Sequence, residues 1–257
     1  MHFDIEELTL AWRRYRRDLD DRCFVDHPAM VTWIENDLGG WLSDISTRVD
    51  AGYHAQSARR CAVPKPGFMI RPGTVLEPED AVVYSCLVGR AYAKIHADLL
   101  STEGKVDIAY RMSPDPSSIQ WTKHDFTVWR EWRIKSLAAL KRGVTHVVVT
   151  DITGFYDNIS IQKLIVELRR LAVDEDDLTL LQESLRKWSS PRDEGIPQGY
   201  SASDILAKLY LASFDRRLVR DGYGHLRYVD DIRIFCSGKL EARRAIADLR
   251  STSFKGV

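Results

Sequence analysis

Apolar residues in the first half of the chain recur at the three- to four-residue spacing of a helix. This spacing predicts helices over residues 5–22, 81–95 and 121–140. A similar pattern covers residues 28–48, but two adjacent glycines weaken the prediction of one continuous helix there. The first half of the chain is therefore predicted to be mainly helical.

Two stretches of the first half are rich in turn-forming residues instead. Residues 61–73 hold prolines and glycines around a short apolar run, which predicts an irregular hairpin or a pair of loops, and residues 113–118 (SPDPSS) predict a loop. The first helix carries four arginines mainly on its polar face: Arg13, Arg14, Arg16 and Arg17. We interpret that face either as a solvated surface or as a contact for nucleic-acid phosphates.

The second half begins with a β-branched apolar run, THVVVTD (145–151), which predicts a buried strand that ends on Asp151. The elements predicted after it are helices over 160–171 and 176–188, a helix from Ser201 with capping-box-like spacing to Asp204, a hairpin of 225–229 with 232–236, and a helix over 240–250. This order indicates an α+β fold in which an antiparallel sheet packs on helices.

Composition narrows the class of protein. Apolar residues make up 44% of the chain and charged residues 29%, no apolar run approaches a membrane span, and no signal pattern opens the chain; together these features predict a soluble protein. Four scattered cysteines predict a reducing cytoplasm and argue against a zinc site. With 37 basic and 37 acidic residues, a nucleic-acid binder would have to segregate its basic residues locally.

The predicted hairpin carries the adjacent carboxylates of Asp230 and Asp231 in the sequence YVDD. Adjacent carboxylates repel each other, and divalent cations relieve that repulsion; an ordinary acidic turn is the alternative. If the strand that ends at Asp151 neighbours the hairpin, the three carboxylates meet at one end of the sheet. Such a group could hold two divalent metals for in-line phosphoryl transfer.

Four stretches resemble reverse transcriptase motifs in their order along the chain. VVVTDITGFYDNIS (147–160) resembles motif A, EGIPQG (194–199) motif B, RYVDDIRIF (227–235) motif C, and PKPGFMIRPG (64–73), followed by Asp80, the fingers motifs. The residues around these motifs are similar to those of the bacterial members of the family, which include group II intron, retron and abortive-infection or other antiphage enzymes. The sequences AWRRYRRD and RYVDDIRIF favour the antiphage branch.

The resemblance implies the fingers and palm of a right-hand polymerase. It divides the chain into an N-terminal helical extension (1–60), fingers (61–143) and a palm (144–257). Because only a short segment follows motif C, the thumb is expected to be missing and primer–template grip to be weak. Apolar surface near residues 240–249 is then expected to face solvent and to favour self-association.

The resemblance also assigns the chemistry. Asp151 and Asp230 are implied as the main metal ligands, Asp231 as an outer or alternate ligand, and the backbone carbonyl of Ile152 as a further one. The expected cofactor is a pair of Mg²⁺ ions, with Mn²⁺ as a substitute. A primer 3′-hydroxyl would then be the nucleophile, so no side-chain nucleophile is needed.

Four further residues are implied in binding the incoming deoxynucleotide. Lys65 and Arg71 match the cations that clamp the triphosphate, although two solvated surface cations are the alternative. Tyr156, five residues after Asp151, matches the aromatic ring that excludes a 2′-hydroxyl, although a core aromatic is the simpler interpretation. Gln198 would contact the nucleotide or the template base.

The resemblance therefore predicts an RNA-directed DNA polymerase in the cytoplasm. Its expected partners are an RNA template with its primer, dNTPs and either a protein subunit or a C-terminal thumb. No membrane is expected to be involved, and antiphage defence is one expected role. An RNA-directed RNA polymerase is an alternative within the same class of enzyme. A nucleotide cyclase is expected to carry GG[DE]EF at the hairpin, and this sequence is absent. The alternative from a different class is a weakly active or inactive regulatory or assembly module that binds nucleic acid or a protein.

Overall fold

A computed structural model describes residues 1–20, 28–65, 69–123, 126–140, 143–189 and 192–251. The helices of this described part are α1 (Ile5–Asp20), α2 (Pro28–Asn36), α3 (Leu38–Asp50), α4 (Pro78–Leu99), α5 (Phe126–Leu140), α6 (Ile161–Arg170), α7 (Glu175–Trp188), α8 (Ser201–Arg220) and α9 (Lys239–Ser251). Its strands are β1 (Arg59–Lys65), β2 (Met69–Val75), β3 (Arg111–Met112), β4 (Thr122–Lys123), β5 (His146–Thr150), β6 (Gly224–Tyr228) and β7 (Asp231–Cys236).

A three-stranded antiparallel sheet with the order β5-β7-β6 organises the second half of the chain. Side chains alternate across each strand, so Ile232, Ile234 and Cys236 all point to one face of β7. That face is apolar and packs on Phe214 of α8 and Ala245 of α9. The predicted α+β fold, with an antiparallel sheet packed on helices, is confirmed.

On the opposite face of the sheet, helix α5 covers strands β6 and β7 but not the edge strand β5. Leu226 packs there against Val128 and Trp132 of α5, with Tyr228 and Phe235 beside them. The edge strand β5 lies beyond this cover, and the side chain of Val149 is 70% exposed. The predicted strand is present, but the prediction that it is buried was wrong, because β5 is an edge strand on which only Val148 is buried. Helix α5 therefore leaves open the strip of sheet that leads to Asp151.

Helix α4 forms the centre of the helical core. Pro78 occupies its first turn with Glu79 and Asp80, where a proline costs no hydrogen bond and acidic side chains suit the helix dipole. Its side chains are buried on nearly every side, and α1, α7 and α8 all pack against it. The predicted helix over 81–95 is confirmed and extends further at both ends.

Three other helices depart from their predicted bounds by more than one residue or are divided. Residues 28–48 form two helices that meet at Asp37, whose carboxylate accepts a hydrogen bond of 3.0 Å from the backbone N–H of Gly40. Because Asp37 caps the second helix, both glycines fit into its first turn. The helix predicted from residue 121 begins at Phe126, since Thr122–Lys123 pairs with Arg111–Met112 in a short antiparallel ladder. The first helix ends at Asp20, and residues 21–22 lie outside the described part.

The placement of Arg14 on a solvated helix face was wrong. Its side chain is buried, donates to the carbonyls of Pro116 and Ser118, and lies 4.2 Å from the ring centroid of Trp121. Arg13 and Arg17 are exposed, as predicted. Arg14 therefore anchors the 113–118 loop rather than facing solvent or nucleic acid.

The capping-box prediction for α8 was also wrong. Tyr200 is the N-cap residue and makes no side-chain cap. Instead, Asp18 of α1 accepts hydrogen bonds from the backbone N–H of Ser201 at 3.1 Å and from its hydroxyl at 2.5 Å. The Oδ1 atom of Asp204 accepts a hydrogen bond from the Tyr156 hydroxyl.

The apolar surface predicted over 240–249 is present in part. Leu240 and Ile246 are exposed, whereas Leu249 packs towards the sheet. None of the described helices combines the length and the apolar character that crossing a membrane requires.

Candidate functional site

The YVDD segment forms a two-residue hairpin turn at one end of the sheet. Tyr228 pairs with Asp231, so Val229 and Asp230 form the turn and Asp231 opens β7. On the other side of β7, Thr150 pairs with Ile232, and one further step of the same register sets Asp151 opposite Asp231. Antiparallel pairing therefore brings carboxylates 80 positions apart in sequence to one edge of the sheet.

The charge of Asp151 acts on the carboxyl group of Asp231, which faces it across the strand pair. Partial burial and the neighbouring charge of Asp151 raise the pKa of the Asp231 carboxyl, while Arg233 opposes that shift. Burial, followed by charges that include those of Asp204 and Asp230, raises the pKa of the Tyr110 hydroxyl. The charge of Asp151 therefore acts on Asp231, and the charge of Asp230 acts on Tyr110.

The donor set at this edge suits a hard divalent cation. No group of three or more acidic, histidine or cysteine side chains within metal-binding reach occurs among the described residues. Two carboxylates and the backbone carbonyl after Asp151 are nevertheless oxygen donors, and Mg²⁺ commonly keeps several waters while binding one or two carboxylates with substrate phosphates. The repulsion at Asp231 is a further reason for a cation to bind there.

The turn backbone is unusual at Val229. Its φ of 57° lies in the left-handed region, which β-branched residues rarely adopt. Such a conformation costs free energy and persists only where surrounding contacts enforce it. The turn that carries the acids is therefore held by its environment rather than by its own sequence preference.

Tyr156 lies in a short 3₁₀ helix (Phe155–Asn158) that begins after Gly154, whose φ is 60°. The ring is buried beside Phe155, and its hydroxyl donates a 2.5 Å hydrogen bond to Asp204. Burial, followed by the charge of Asp204, raises the pKa of the Tyr156 hydroxyl. Tyr156 is thus both part of the core and close to the acids, which keeps both interpretations of this residue open.

The EGIPQG loop packs directly on the segment that contains Tyr156. The backbone N–H of Ile196 donates to the carbonyl of Tyr156 at 2.9 Å, and that of Gly195 donates to the carbonyl of Ile159 at 2.8 Å. Gly195 has a φ of 103°, and a Cβ there would lie 3.2 Å from the carbonyl oxygen of Asp157, so only glycine suits this approach. The half-buried Gln198 follows in the same loop.

The two cations of the fingers motif fall on the β1–β2 hairpin. Lys65 ends β1 opposite Met69, and Arg71 pairs with Val63. The side chains of Lys65 and Arg71, together with residues 66–68, lie outside the described part of the chain. Their predicted contact with a triphosphate stays a prediction.

Several charged residues near the hairpin were missed at the level of sequence. Four of them are buried and linked by ion pairs in the order Lys208, Asp107, Arg227 and Asp215. Lys208 and Asp215 interrupt the apolar pattern of α8, and that interruption was the available signal. Without the fold, a charged residue on an apolar face indicates a pairing but not its partner.

A family match covers the stretches that resemble motifs A, B and C, while residues 64–73 lie outside it. Residues 82–255 match the model of the family described as reverse transcriptase (RNA-dependent DNA polymerase). No curated protein sequence matches the chain.

Solved structures show a similar fold at low sequence identity. Telomerase from Candida albicans, solved with a fragment of telomeric RNA, aligns over 85% of this chain and 44% of its own, with a TM-score of 0.52 and 13% identity. Apo telomerase from Candida tropicalis aligns over 76% and 46%, with a TM-score of 0.51 and 13% identity. The alignment thus covers less than half of each of these two telomerase chains, the second of which lacks its C-terminal domain. The family match covers well over half of the residues, and the chain belongs to the reverse transcriptase (RNA-dependent DNA polymerase) family.

Proposed function

We propose that this chain is the fingers and palm of an RNA-directed DNA polymerase that adds deoxynucleotides to a primer 3′-hydroxyl. The observation that carries the proposal is the register that sets Asp151 opposite Asp231 beside the turn that holds Asp230, within the part of the chain that matches the family. In this proposal residues 1–60 are a helical extension, 61–143 the fingers and 144–257 the palm.

The side chains have distinct proposed roles. Asp151 and Asp230, with the carbonyl of Ile152 and with Asp231 as an alternate ligand, would hold two Mg²⁺ ions or Mn²⁺. When bound, these cations supply charge stabilisation for the attacking and leaving oxygens. The chain itself would orient the primer hydroxyl and the α-phosphate for in-line attack.

The remaining residues would select and hold the nucleotide. Lys65 and Arg71 would bind the triphosphate from the β1–β2 hairpin, and Gln198 would contact the nucleotide or the template base. Tyr156, backed by Phe155 and tied to Asp204, presents a ring whose position can oppose a 2′-hydroxyl. We place the protein in the bacterial cytoplasm, with an RNA template, a protein subunit or further polypeptide as partner, and a role in antiphage defence.

A second candidate is a binding module that does not turn over nucleotides. It is favoured by one observation, that the described residues do not gather three metal-binding side chains in one group. The two candidates differ in what removal of a carboxylate does: it abolishes turnover in the first and leaves binding nearly unchanged in the second.

Labelled dNTP incorporation with Mg²⁺ or Mn²⁺, with and without an RNA template and a DNA primer, tests the proposal. The parent should incorporate dNTPs, and Asp151→Asn and Asp230→Ala should each lower the rate by at least about 10³-fold, since both act at the reacting centre. Glu183→Gln, an exposed acid on α7, is the matched control and should behave like the parent. Incorporation that survives in both aspartate variants would overturn the assignment.

A further inference from the structure

A group of buried charged side chains lies beneath the acidic hairpin, outside the residues assigned above. Among the described residues it comprises Asp107, Lys208, Asp215, His225 and Arg227, each no more than 4% exposed. Charges are rarely buried this completely unless they are paired, because desolvation is costly. Their positions connect three parts of the fold: the segment after α4, helix α8 and strand β6.

Arg227 lies at the centre of this group and uses all parts of its guanidinium. Nε and Nη2 bind the carboxylate of Asp215, at 3.0 and 2.6 Å from Oδ2, and Nη2 also lies 3.1 Å from Oδ2 of Asp107. The remaining nitrogen, Nη1, donates a 2.9 Å hydrogen bond to the backbone carbonyl of Val229. Arg227 thus joins two buried carboxylates to the turn between Tyr228 and Asp231.

The backbone of Arg227 is held as firmly as its side chain. Its N–H donates to the carbonyl of Val106 at 2.8 Å, and its carbonyl accepts from the N–H of Ile108 at 3.0 Å. Lys208 of α8 secures the same segment, since its ammonium lies 2.7 Å from Asp107 and 3.1 Å from Glu103. The backbone of Arg227 is therefore tied to the segment after α4, and its Nη1 reaches the turn.

The hydrogen bond from Arg227 is made to Val229, whose backbone conformation is unfavourable for its residue type. Val229 has a left-handed φ of 57° although it is β-branched, and its carbonyl is the atom that Arg227 binds. A planar fork with five donors can satisfy two carboxylates and a carbonyl together, which the single ammonium of a lysine cannot do with the same geometry.

We infer that Arg227 is a positioning residue that fixes the backbone of the acidic turn, and so sets where Asp230 and Asp231 present their carboxylates. The inference rests on the proposed function for its catalytic consequence, but its structural part does not. It assigns Asp215 and Asp107 the task of holding the guanidinium in place, with no direct role at the reacting atoms.

The first test compares Arg227→Lys with His225→Gln by hydrogen–deuterium exchange. His225 Nε2 lies 3.1 Å from Asp215, so its variant disturbs the same buried group without touching the turn. Arg227→Lys should make exchange of the amides in 229–232 at least about tenfold faster, and His225→Gln should not. Equal protection of those amides in the parent and Arg227→Lys would overturn the inference.

A kinetic measurement then separates positioning from general destabilisation. Arg227→Lys should lower kcat by on the order of 10²-fold and raise the Mg²⁺ concentration that gives half-maximal rate, with KM for dNTP nearly unchanged, because misplaced carboxylates impair the chemical step. His225→Gln should retain both values. Arg227→Lys kinetics equal to those of His225→Gln would overturn the catalytic part.

A second variant covers the case in which Arg227→Lys does not fold. The double substitution Arg227→Met with Asp215→Asn removes both charges of this buried ion pair together, so that no uncompensated charge is left at the site. It removes the donor to Val229 and should reproduce the faster exchange in 229–232. A parent without incorporation would count against the proposed function alone, while unchanged exchange in this double variant would count against the inference alone.

Discussion

Individual carboxylates in this chain differ widely in their surroundings, and their chemistry differs accordingly. Asp231 is largely exposed and faces the charge of Asp151. Asp80 is buried and accepts hydrogen bonds from the Tyr53 hydroxyl and the Gln56 N–H. Asp204 accepts from the buried hydroxyl of Tyr156. Each setting predicts a different response to a change of ligand, pH or side chain.

Divalent cations held by Asp151 and Asp230, with Asp231 as an alternate ligand, should stabilise the fold. Mg²⁺ at ten times its dissociation constant should add about 1.4 kcal/mol to the free energy of unfolding, which corresponds to a Tm increase of roughly 3–5 °C. Asp151→Asn should abolish that increase, while Glu183→Gln should preserve it. Thermal unfolding with and without Mg²⁺ measures the effect, and an equal increase in Asp151→Asn would place the cation elsewhere.

The free energy of unfolding should fall as pH rises through the titration of Asp80. Burial raises the pKa of this carboxyl to about 6, so the folded state holds the proton more tightly than the unfolded state. The stabilisation is complete below the unfolded pKa of about 4 and is lost as pH rises through the folded value.

The expected loss is on the order of 2–3 kcal/mol. Urea unfolding across this range should show a shallower pH slope in Asp80→Asn than in the parent. Asp20→Asn, an exposed acid of α1, should keep the parent slope. A slope that persists in Asp80→Asn would assign the titration to another group.

Ribonucleotide exclusion should depend on Tyr156 and on the carboxylate that holds its hydroxyl. Tyr156→Val should raise the use of GTP relative to dGTP by at least about tenfold, because a smaller side chain leaves room for the 2′-hydroxyl. Asp204→Ala should have a smaller effect in the same direction, and Asp204→Asn, which keeps an acceptor, should have little effect. Competition between GTP and dGTP measures the ratio; an unchanged ratio in Tyr156→Val would make this ring part of the core only.

At the scale of secondary-structure elements, α8 joins the candidate site to the N-terminal helices. Its first residue is capped by Asp18 of α1, and its Ser203 hydroxyl contacts the Tyr84 hydroxyl at 2.9 Å and the carbonyl of Pro197 at 2.5 Å. The EGIPQG loop ends where α8 begins. Contacts from α1 and α4 therefore reach this loop through the first turn of α8.

Removal of the cap should destabilise the protein measurably. Asp18→Ala should lower the free energy of unfolding by about 1 kcal/mol, with a range of roughly 0.5–2 kcal/mol, because the N–H of Ser201 loses its acceptor. Asp20 lies in the same helix, and its ion pair in the described part of the chain is with Arg16 of α1. Asp20→Ala should therefore lower the free energy of unfolding much less. Urea unfolding compares the two, and equal losses would show that the cap contributes nothing.

At the scale of the whole molecule, one continuous core links the N-terminal helices to α8. It includes Phe3, Tyr15, Tyr84, Leu164 and Leu209. Residues 1–60 thus pack into the same core as later segments, and the proposed domain boundaries stay a prediction. The sheet and α9 form a smaller apolar cluster at one side, next to exposed Leu240 and Ile246.

Exposed apolar side chains on α9 should make the isolated 257-residue chain self-associate. Light scattering should show an apparent mass that rises with concentration, and Leu240→Lys with Ile246→Lys should reduce that rise. Val166→Lys, at an exposed apolar position on α6, is the control and should leave it unchanged. A parent that stays monomeric at all concentrations would contradict this prediction, and so would an equal response to all three substitutions.

Local patterns in the sequence determined the elements and the order of the motifs. The β-branched run before Asp151 predicted strand β5, the two apolar runs around YVDD predicted the hairpin, and helical spacing predicted α4, α6 and α7. These features depend on residues close together in the chain, because backbone preference and side-chain periodicity act over a few positions. The candidate acids could be named for the same reason.

Only the tertiary structure decided which distant polar groups meet. Asp18 caps a helix 183 positions away, Arg14 binds carbonyls more than 100 positions away, and Lys208 pairs with Asp107 across 101 positions. Nothing in the local pattern specifies these partners, since any buried charge requires a partner and several residues could supply one. Arg227 belongs to the same group: the sequence placed it beside the acidic turn, and the fold supplied the two buried carboxylates that aim it at Val229.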